Sequence, residues 1–507
     1  VNSGYRFPIK LPPPTLGEFE QQLIDHIGRH GPTPFEALIE AALYDTQFGY
    51  YPSRRRQQGS TPVGTDGDYF TSPVTHPAFG ALLASGCTTN RMVTAAGTAS
   101  LPAYGPLQPD PAGILDLPAG FSYRLLSSLG EAMSNGGTVP DKADGMGCFA
   151  LGNGEIALVR NHELVPGDGA GGPIARGFGT RNGEIVPGGT TNIVLDANTL
   201  EVKRQFRTLG GTIRNCSGGV TPWNTWLTCE ESPTGPGQRY GEGLAQNHGW
   251  VFEVPANASG LVDPVPLTAM GRFNHEAACV DPETGMVYMT EDRDDGVLYR
   301  FIPKERGKLR AGGQLQAMAI DGLADTRNWD APVMPVQKPY EARWIDLDEV
   351  EAPLDDLRIR AVAKGAALVA RGEGIHMGTD DLFVCSTSGG QKGLGQIFRF
   401  VPGRGRGPDM VELFFESESE DQFNFGDNLT VSPNGHLIVC EDQYTDVVDN
   451  HLRGITPDGR AYTLARLTMQ TELAGACFSP DGKWLFVNAY SPTRTVAITG
   501  PWDRFMT

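Results

Sequence analysis

Asp281-Pro282-Glu283-Thr284-Gly285-Met286-Val287-Tyr288-Met289-Thr290-Glu291-Asp292 runs from a proline- and glycine-marked turn into a short apolar strand and ends on two carboxylates. The same order of turn, strand and polar end recurs at Gly152 to Glu163, Pro222 to Glu231, Gly378 to Thr387, Ser432 to Asp442 and Ser479 to Asn488. Six units at unequal spacing, with a long insertion around residues 304 to 360, do not suit a uniform solenoid. A propeller tolerates such insertions because its blades are joined by loops at two rims. The expectation is an all-β, six-bladed β-propeller; a pair of β-sandwiches is the competing architecture.

Composition agrees with many short strands. Gly 65 and Pro 38 are spread along the 507 residues, and 39% hydrophobic content permits a core. A formal charge of -19 argues against nucleic acid and favours cations or a solvated acidic surface. No stretch reaches the length of a membrane span. Cys87, Cys148, Cys216, Cys229, Cys279, Cys385, Cys440 and Cys477 form no CxxC pair of the zinc type. Cys148, Cys229, Cys279, Cys385 and Cys440 lie in apolar strand-like runs as small hydrophobes. Cys216, in the turn-like Arg214-Asn215-Cys216-Ser217-Gly218-Gly219, is available as a ligand.

The chain divides into a helical N-terminal segment (1–90), a linker (91–111) and the propeller domain (112–507). Phe19, Leu23, Ile24 and Ile27, then Phe35, Leu38, Ile39, Ala42 and Leu43, recur at helical spacing around Pro32 to Pro34. Ser53-Arg54-Arg55-Arg56 and Ala84-Ser85-Gly86-Cys87 match export and lipid-attachment signals only weakly, since polar and proline-broken residues separate them.

If equivalent strands end at one rim, their terminal residues meet at a shared opening. Those residues are Asn161 and Glu163, Glu230 and Glu231, Glu291 and Asp292, and Glu441 and Asp442. Glu276, Glu373, Asp427 and Glu472 add carboxylates from loops that precede strands. So much like charge needs a counterion, and calcium accepts a crowd of oxygens that zinc would not. His162 and His275 each precede a Glu, so their rings are expected to pack and orient the loops. Arg371, two residues from Glu373, is placed to grip a phosphate oxygen or to form an ion pair with Glu373. A thiolate is a soft ligand, so Cys216 beside these acids points to a site that also takes a transition metal.

Several strings in order resemble the PhoX-type alkaline phosphatases: Asp116 to Tyr123, Asn161-His162-Glu163, Cys216 with Thr221-Pro222-Trp223 and Thr228 to Glu231, Phe273-Asn274-His275-Glu276, Arg371-Gly372-Glu373-Gly374, and Phe478 to Gly482. The resemblance runs from about Gly105 to the C-terminus. It implies phosphate monoester hydrolysis in a six-bladed propeller whose centre holds two ferric ions, bridged by oxide and one thiolate, with calcium completing the cluster. By that likeness Cys216 bridges the irons, Glu276 and Glu373 bind iron, and Arg371 contacts phosphate. Asp144, Glu163, Glu231, Asp292, Asp427, Glu441 and Glu472 are the candidates for calcium. It also implies a place in the periplasm or outside the cell, although this chain shows no intact export signal; a monomer is expected.

Residues from about Leu23 to Ala84, including Gly67 to Pro73, are similar to the start of the methyltransferase family that assists mitochondrial complex I assembly. The likeness stops before any glycine-rich cofactor loop, so no methyl transfer is expected. Two rival readings of the propeller remain. A calcium-dependent lactonase or esterase would need neither Cys216 nor Arg371, and a non-catalytic binding propeller would use calcium only for support.

Overall fold

The computed structural model describes residues 103–506, so the expected N-terminal helices, Cys87 and both signal-like strings lie outside the described residues. The described chain is an all-β, propeller-like arrangement. Its one α-helix among the described residues is Leu357–Ala363.

Each of the six sequence units becomes the second strand of an antiparallel pair. The pairs are Ala143–Gly152 with Glu155–His162, Asn215–Val220 with Thr225–Glu230, and His275–Val280 with Val287–Glu291. Then follow Gly372–Met377 with Leu382–Ser386, Gly426–Val431 with Leu437–Glu441, and Leu473–Phe478 with Leu485–Ala489. Asn153 and Gly154 make the first turn, both with positive φ (53° and 76°), as a two-residue hairpin that follows strand twist requires.

The first strands of these pairs neighbour one another in chain order, and the last returns to the first, which closes a ring. The strand Arg494–Thr499 fastens it by antiparallel hydrogen bonding with Ser122–Ser128 from the start of the domain. Apolar cores fill the space between neighbouring sheets. Leu227, Cys229 and Val251 meet Val287, Met289 and Phe301, and further round Ile438, Cys440 and Leu464 meet Leu485, Val487 and Ile498. The cysteines expected as small hydrophobes pack in such cores, with Cys477 among them, whereas Cys216 belongs to none.

One expectation needs correction. Six separate blade sheets do not form: besides the short pairing of Thr180–Arg181 with Glu184–Ile185, four sheets stand alone, with six, three, four and four strands, while nine strands make one continuous sheet. The cause lies in the insertion, whose strand Pro339–Asp346 pairs with Asp409–Glu416 and joins two outer edges that would otherwise expose unpaired backbone. Strand pairing already begins ahead of residue 112. Ala103 bridges Met506 and Leu107–Gln108 pairs with Leu115–Pro118, because the Tyr104 ring packs against Phe121, Tyr462 and Phe505.

Around the axis the first strands approach so closely that side chains cannot fit everywhere. A Cβ on Gly219 would stand 1.8 Å from the Ala278 carbonyl oxygen of the next strand. Gly219→Ala is therefore expected to lower stability by about 1–3 kcal/mol through backbone displacement, measurable as an earlier urea midpoint.

Candidate functional site

The start of every first strand pairs with the end of its partner, so both termini reach the same rim. At that rim every first strand shifts register. The irregularities fall between Ala143 and Met146, Asn215 and Gly218, His275 and Ala278, Gly372 and Ile375, Gly426 and Leu429, and Ala474 and Cys477. A bulge re-aims the side chain it carries. The residues so placed are Asp144, Cys216, Glu276, Glu373 and Asp427, with Gly475 in the last strand. Glu276, Glu373 and Asp427 thus belong to strands, not to preceding loops; Glu472 does directly precede its strand.

A second ring comes from the residues just after the partner strands. The backbone N–H groups of Glu163, Glu231, Asp292, Thr387, Asp442 and Tyr490 donate to the carbonyls of Lys142, Arg214, Asn274, Arg371, Phe425 and Glu472. One repeated bond, 2.8 to 3.3 Å long, sets each of these residues against the same position of its own pair.

Strand alternation decides which of each terminal pair faces inward. Glu230 turns into its sheet, where His248 Nδ1 lies 2.6 Å away and the amides of Ile213, Gly249 and Trp250 donate to it. Glu291 accepts from Tyr299 Oη at 2.9 Å. Glu441 follows the same rule: Arg453 Nε, His451 Nδ1 and the amides of Asn424 and His451 occupy both its oxygens at 2.7 to 3.0 Å. The expectation that Glu441 faces the opening is therefore corrected, and Asp442 takes its place. Asn161 likewise clamps strands, donating to the Cys216 and Ser217 carbonyls at 3.0 and 2.7 Å. His162 and His275 point away from the rim, toward the Asp141 and Gly271 carbonyls.

The inward residues gather. Ligand atoms of Glu163, Cys216 and Glu231 lie within 4.8 Å of one another, as do those of Glu276, Glu373 and Asp427, and those of Asp427, Asp442 and Glu472. The Cys216 thiol donates to Asp144 Oδ2 at 3.5 Å, which ties Asp144 to the first group. Burial, reinforced by neighbouring acids, raises Asp144, Glu231, Glu276, Glu373 and Glu472 well above the ordinary carboxylate range. Asp427, buried and facing Asp442, is pushed up to about 7. Burial and the nearby Asp144 raise the Cys216 thiol in the same way.

Two arginines interrupt this acidity. Arg214 reaches Glu163 and Glu231, each at 2.6 Å. Arg371 takes both oxygens of Asp292, at 2.7 and 3.2 Å, and also donates to Glu373 at 2.9 Å, so the ion pair that sequence spacing left open does form. Against the effect of burial, Arg371 holds Asp292 below its usual pKa. Glu231, raised by burial, shares a hydrogen bond with Asp292. Arg214 joins this cluster although the sequence reading did not single it out; it stands two residues before Cys216 as Arg371 stands before Glu373.

Some of these acid oxygens have no hydrogen-bond partner. Both Glu276 oxygens and Asp144 Oδ1 are buried without a hydrogen bond, at 0% and 2% residue exposure. A buried charged oxygen left unpaired is costly, and bound cations are the remedy that suits so many oxygens together. The set fits hard cations at the carboxylates and a softer metal at the thiol.

The shifts fix a sign. Between pH 3.8 and about 7 the folded metal-free chain holds a proton on Asp427 that the unfolded chain has released. The other raised carboxylates act in the same direction, so stability falls as pH rises through this window. Chelator-treated protein is expected to melt several degrees lower at pH 8 than at pH 5, and divalent cations should remove the difference; differential scanning calorimetry reads both.

Residues 102–493 match the family model described as Alkaline phosphatase PhoX. Among solved structures the chain is similar to Pseudomonas fluorescens PhoX in complex with vanadate, a transition state analogue, with 19% identity and a TM-score of 0.61 over 79% of this chain and 97% of that one. It is also similar to a gluconolactonase of Xanthomonas campestris, at 14% identity and a TM-score of 0.39 over 78% of this chain and 98% of that one. No curated protein matches the chain. Most of its length falls within the family model, and the chain belongs to the alkaline phosphatase PhoX family.

Proposed function

We propose that this protein hydrolyses phosphate monoesters at a mixed calcium and iron cluster in the ring opening, releasing inorganic phosphate. The observation that carries the reading is Glu276: fully buried, with neither oxygen hydrogen-bonded, grouped with Glu373 and Asp427 in a chain of the PhoX family. The domain is a monomer that spans residues 112–507 and works in the periplasm or outside the cell. Among the described residues no helix is long and apolar enough to cross a membrane.

Cys216, Glu276 and Glu373 would hold iron, and Asp144, Glu163, Glu231, Asp427, Asp442 and Glu472 would hold calcium. When bound, these ions would supply positive charge to the phosphoryl oxygens and lower the pKa of a bound water. Asp292 serves mainly to hold Arg371. That tether occupies Nε and Nη2, leaving Arg371 Nη1 without a partner among the described residues and turned to account as a donor for phosphate. No side chain need act as nucleophile, since Cys216 would be taken up as a metal ligand. A calcium-only lactonase or a binding propeller would leave both Cys216 and Arg371 idle.

Calcium chelation is expected to abolish turnover of a chromogenic phosphate monoester, and added calcium to restore it. Cys216→Ala should lose both bound iron and turnover while keeping the native circular dichroism spectrum. Full activity after either treatment would refute this site. Asp442→Asn should reduce bound calcium, whereas Glu441→Gln should leave metal content intact and lower the melting temperature; elemental analysis with thermal melts separates the two.

A further inference from the structure

Three cationic residues stand two positions before a bulge residue: Lys142, Arg214 and Arg371, with φ of 55°, 49° and 44°. Positive φ is uncommon for side chains of this size, so all three are held there by the repeated carbonyl bond to the partner strand. Yet their side chains diverge. Lys142 turns to Asp168 at 2.7 Å, whereas both arginines lie along the ring carboxylates. Position alone therefore does not bring a cation to the opening.

The two arginines use the same edge. Arg371 commits Nε and Nη2 to Asp292 and Glu373. Arg214 commits Nε and Nη2 to Glu163 and Glu231, and its Nη1 makes only a long 3.5 Å bond to the Glu231 carbonyl. The Glu231 to Asp292 hydrogen bond joins the two assemblies into a continuous belt: Glu163, Arg214, Glu231, Asp292, Arg371, Glu373. Arg214 is the more open of the pair, with 37% side-chain exposure against 20% for Arg371.

We infer that Arg214 is a second phosphate-binding residue, donating through Nη1 to phosphoryl oxygens from the other end of the belt to Arg371. The inference rests on the phosphatase reading. A phosphate dianion entering a ring of carboxylates is repelled unless fixed positive edges meet it, and cations tethered by their far edge meet it with little loss of side-chain freedom. Were Arg214 only a countercharge, its loss would alter metal loading and leave phosphate affinity unchanged.

Wild type, Arg214→Gln, Arg214→Lys and Arg371→Gln, each loaded with calcium and iron and assayed for metal content, can be titrated with inorganic phosphate by calorimetry and compared in KM and kcat on a chromogenic monoester. Arg214→Gln should weaken phosphate binding and raise KM by about tenfold or more, the loss of a hydrogen bond to a charged group, with metal content unchanged and partial recovery in Arg214→Lys. Phosphate binding by metal-loaded Arg214→Gln equal to wild type overturns the inference, whether or not that variant loads less metal. Absence of wild-type turnover on every phosphate ester tried would sink the phosphatase reading, and this inference with it.

Discussion

Glu276 has nowhere to put its charge. Its carboxyl is fully buried, neither oxygen accepts a hydrogen bond, and its closest electrostatic neighbours are other acids, Glu373 and Asp427 first among them. In water such groups would separate; here the closed ring of strands forbids it. The ring is held from outside by apolar cores between neighbouring sheets and by the pairing of the last strand with the first. Core burial thus offsets repulsion at the opening, each fully buried aliphatic side chain contributing about 1.5–3 kcal/mol. The site is strained toward cations because the scaffold is not free to relax.

Two local devices turn a ring of strands into that site. Bulges at the entry of the first strands rotate Asp144, Cys216, Glu276, Glu373 and Asp427 toward the axis. The repeated amide-to-carbonyl bond then sets Glu163, Glu231, Asp292 and Asp442 beside them. Neither device depends on the identity of the side chain it presents. That is why the same positions elsewhere carry Thr387 and Tyr490.

Much of this was legible in the sequence. The six recurring units found the partner strands, and the resemblance singled out most of the residues that converge. What failed had physical causes. Parity along a strand cannot be counted without knowing where pairing ends, so Glu441 was chosen over Asp442, and Glu230, Glu291 and Asn161 were expected at the opening when they brace the sheets. Bulges have no reliable sequence mark beyond nearby glycine, so strand residues such as Glu276 read as loop. The joining of two outer edges by Pro339–Asp346 is a long-range event that no local pattern announces. Arg214 carries no local mark of its place in the cluster beyond its offset from Cys216, which matches that of Arg371 from Glu373.

The account's central claim is that cations, and not protons alone, settle the buried acids of the ring. Anomalous diffraction from crystals of the protein as purified, collected at the iron absorption edge, tests it most directly. A peak within bonding distance of the Cys216 sulfur and of Glu276, with calcium density at the neighbouring carboxylates, is the predicted result. A well-ordered ring with no metal density, its thiol free and its carboxylates bridged only by shared protons, would contradict it.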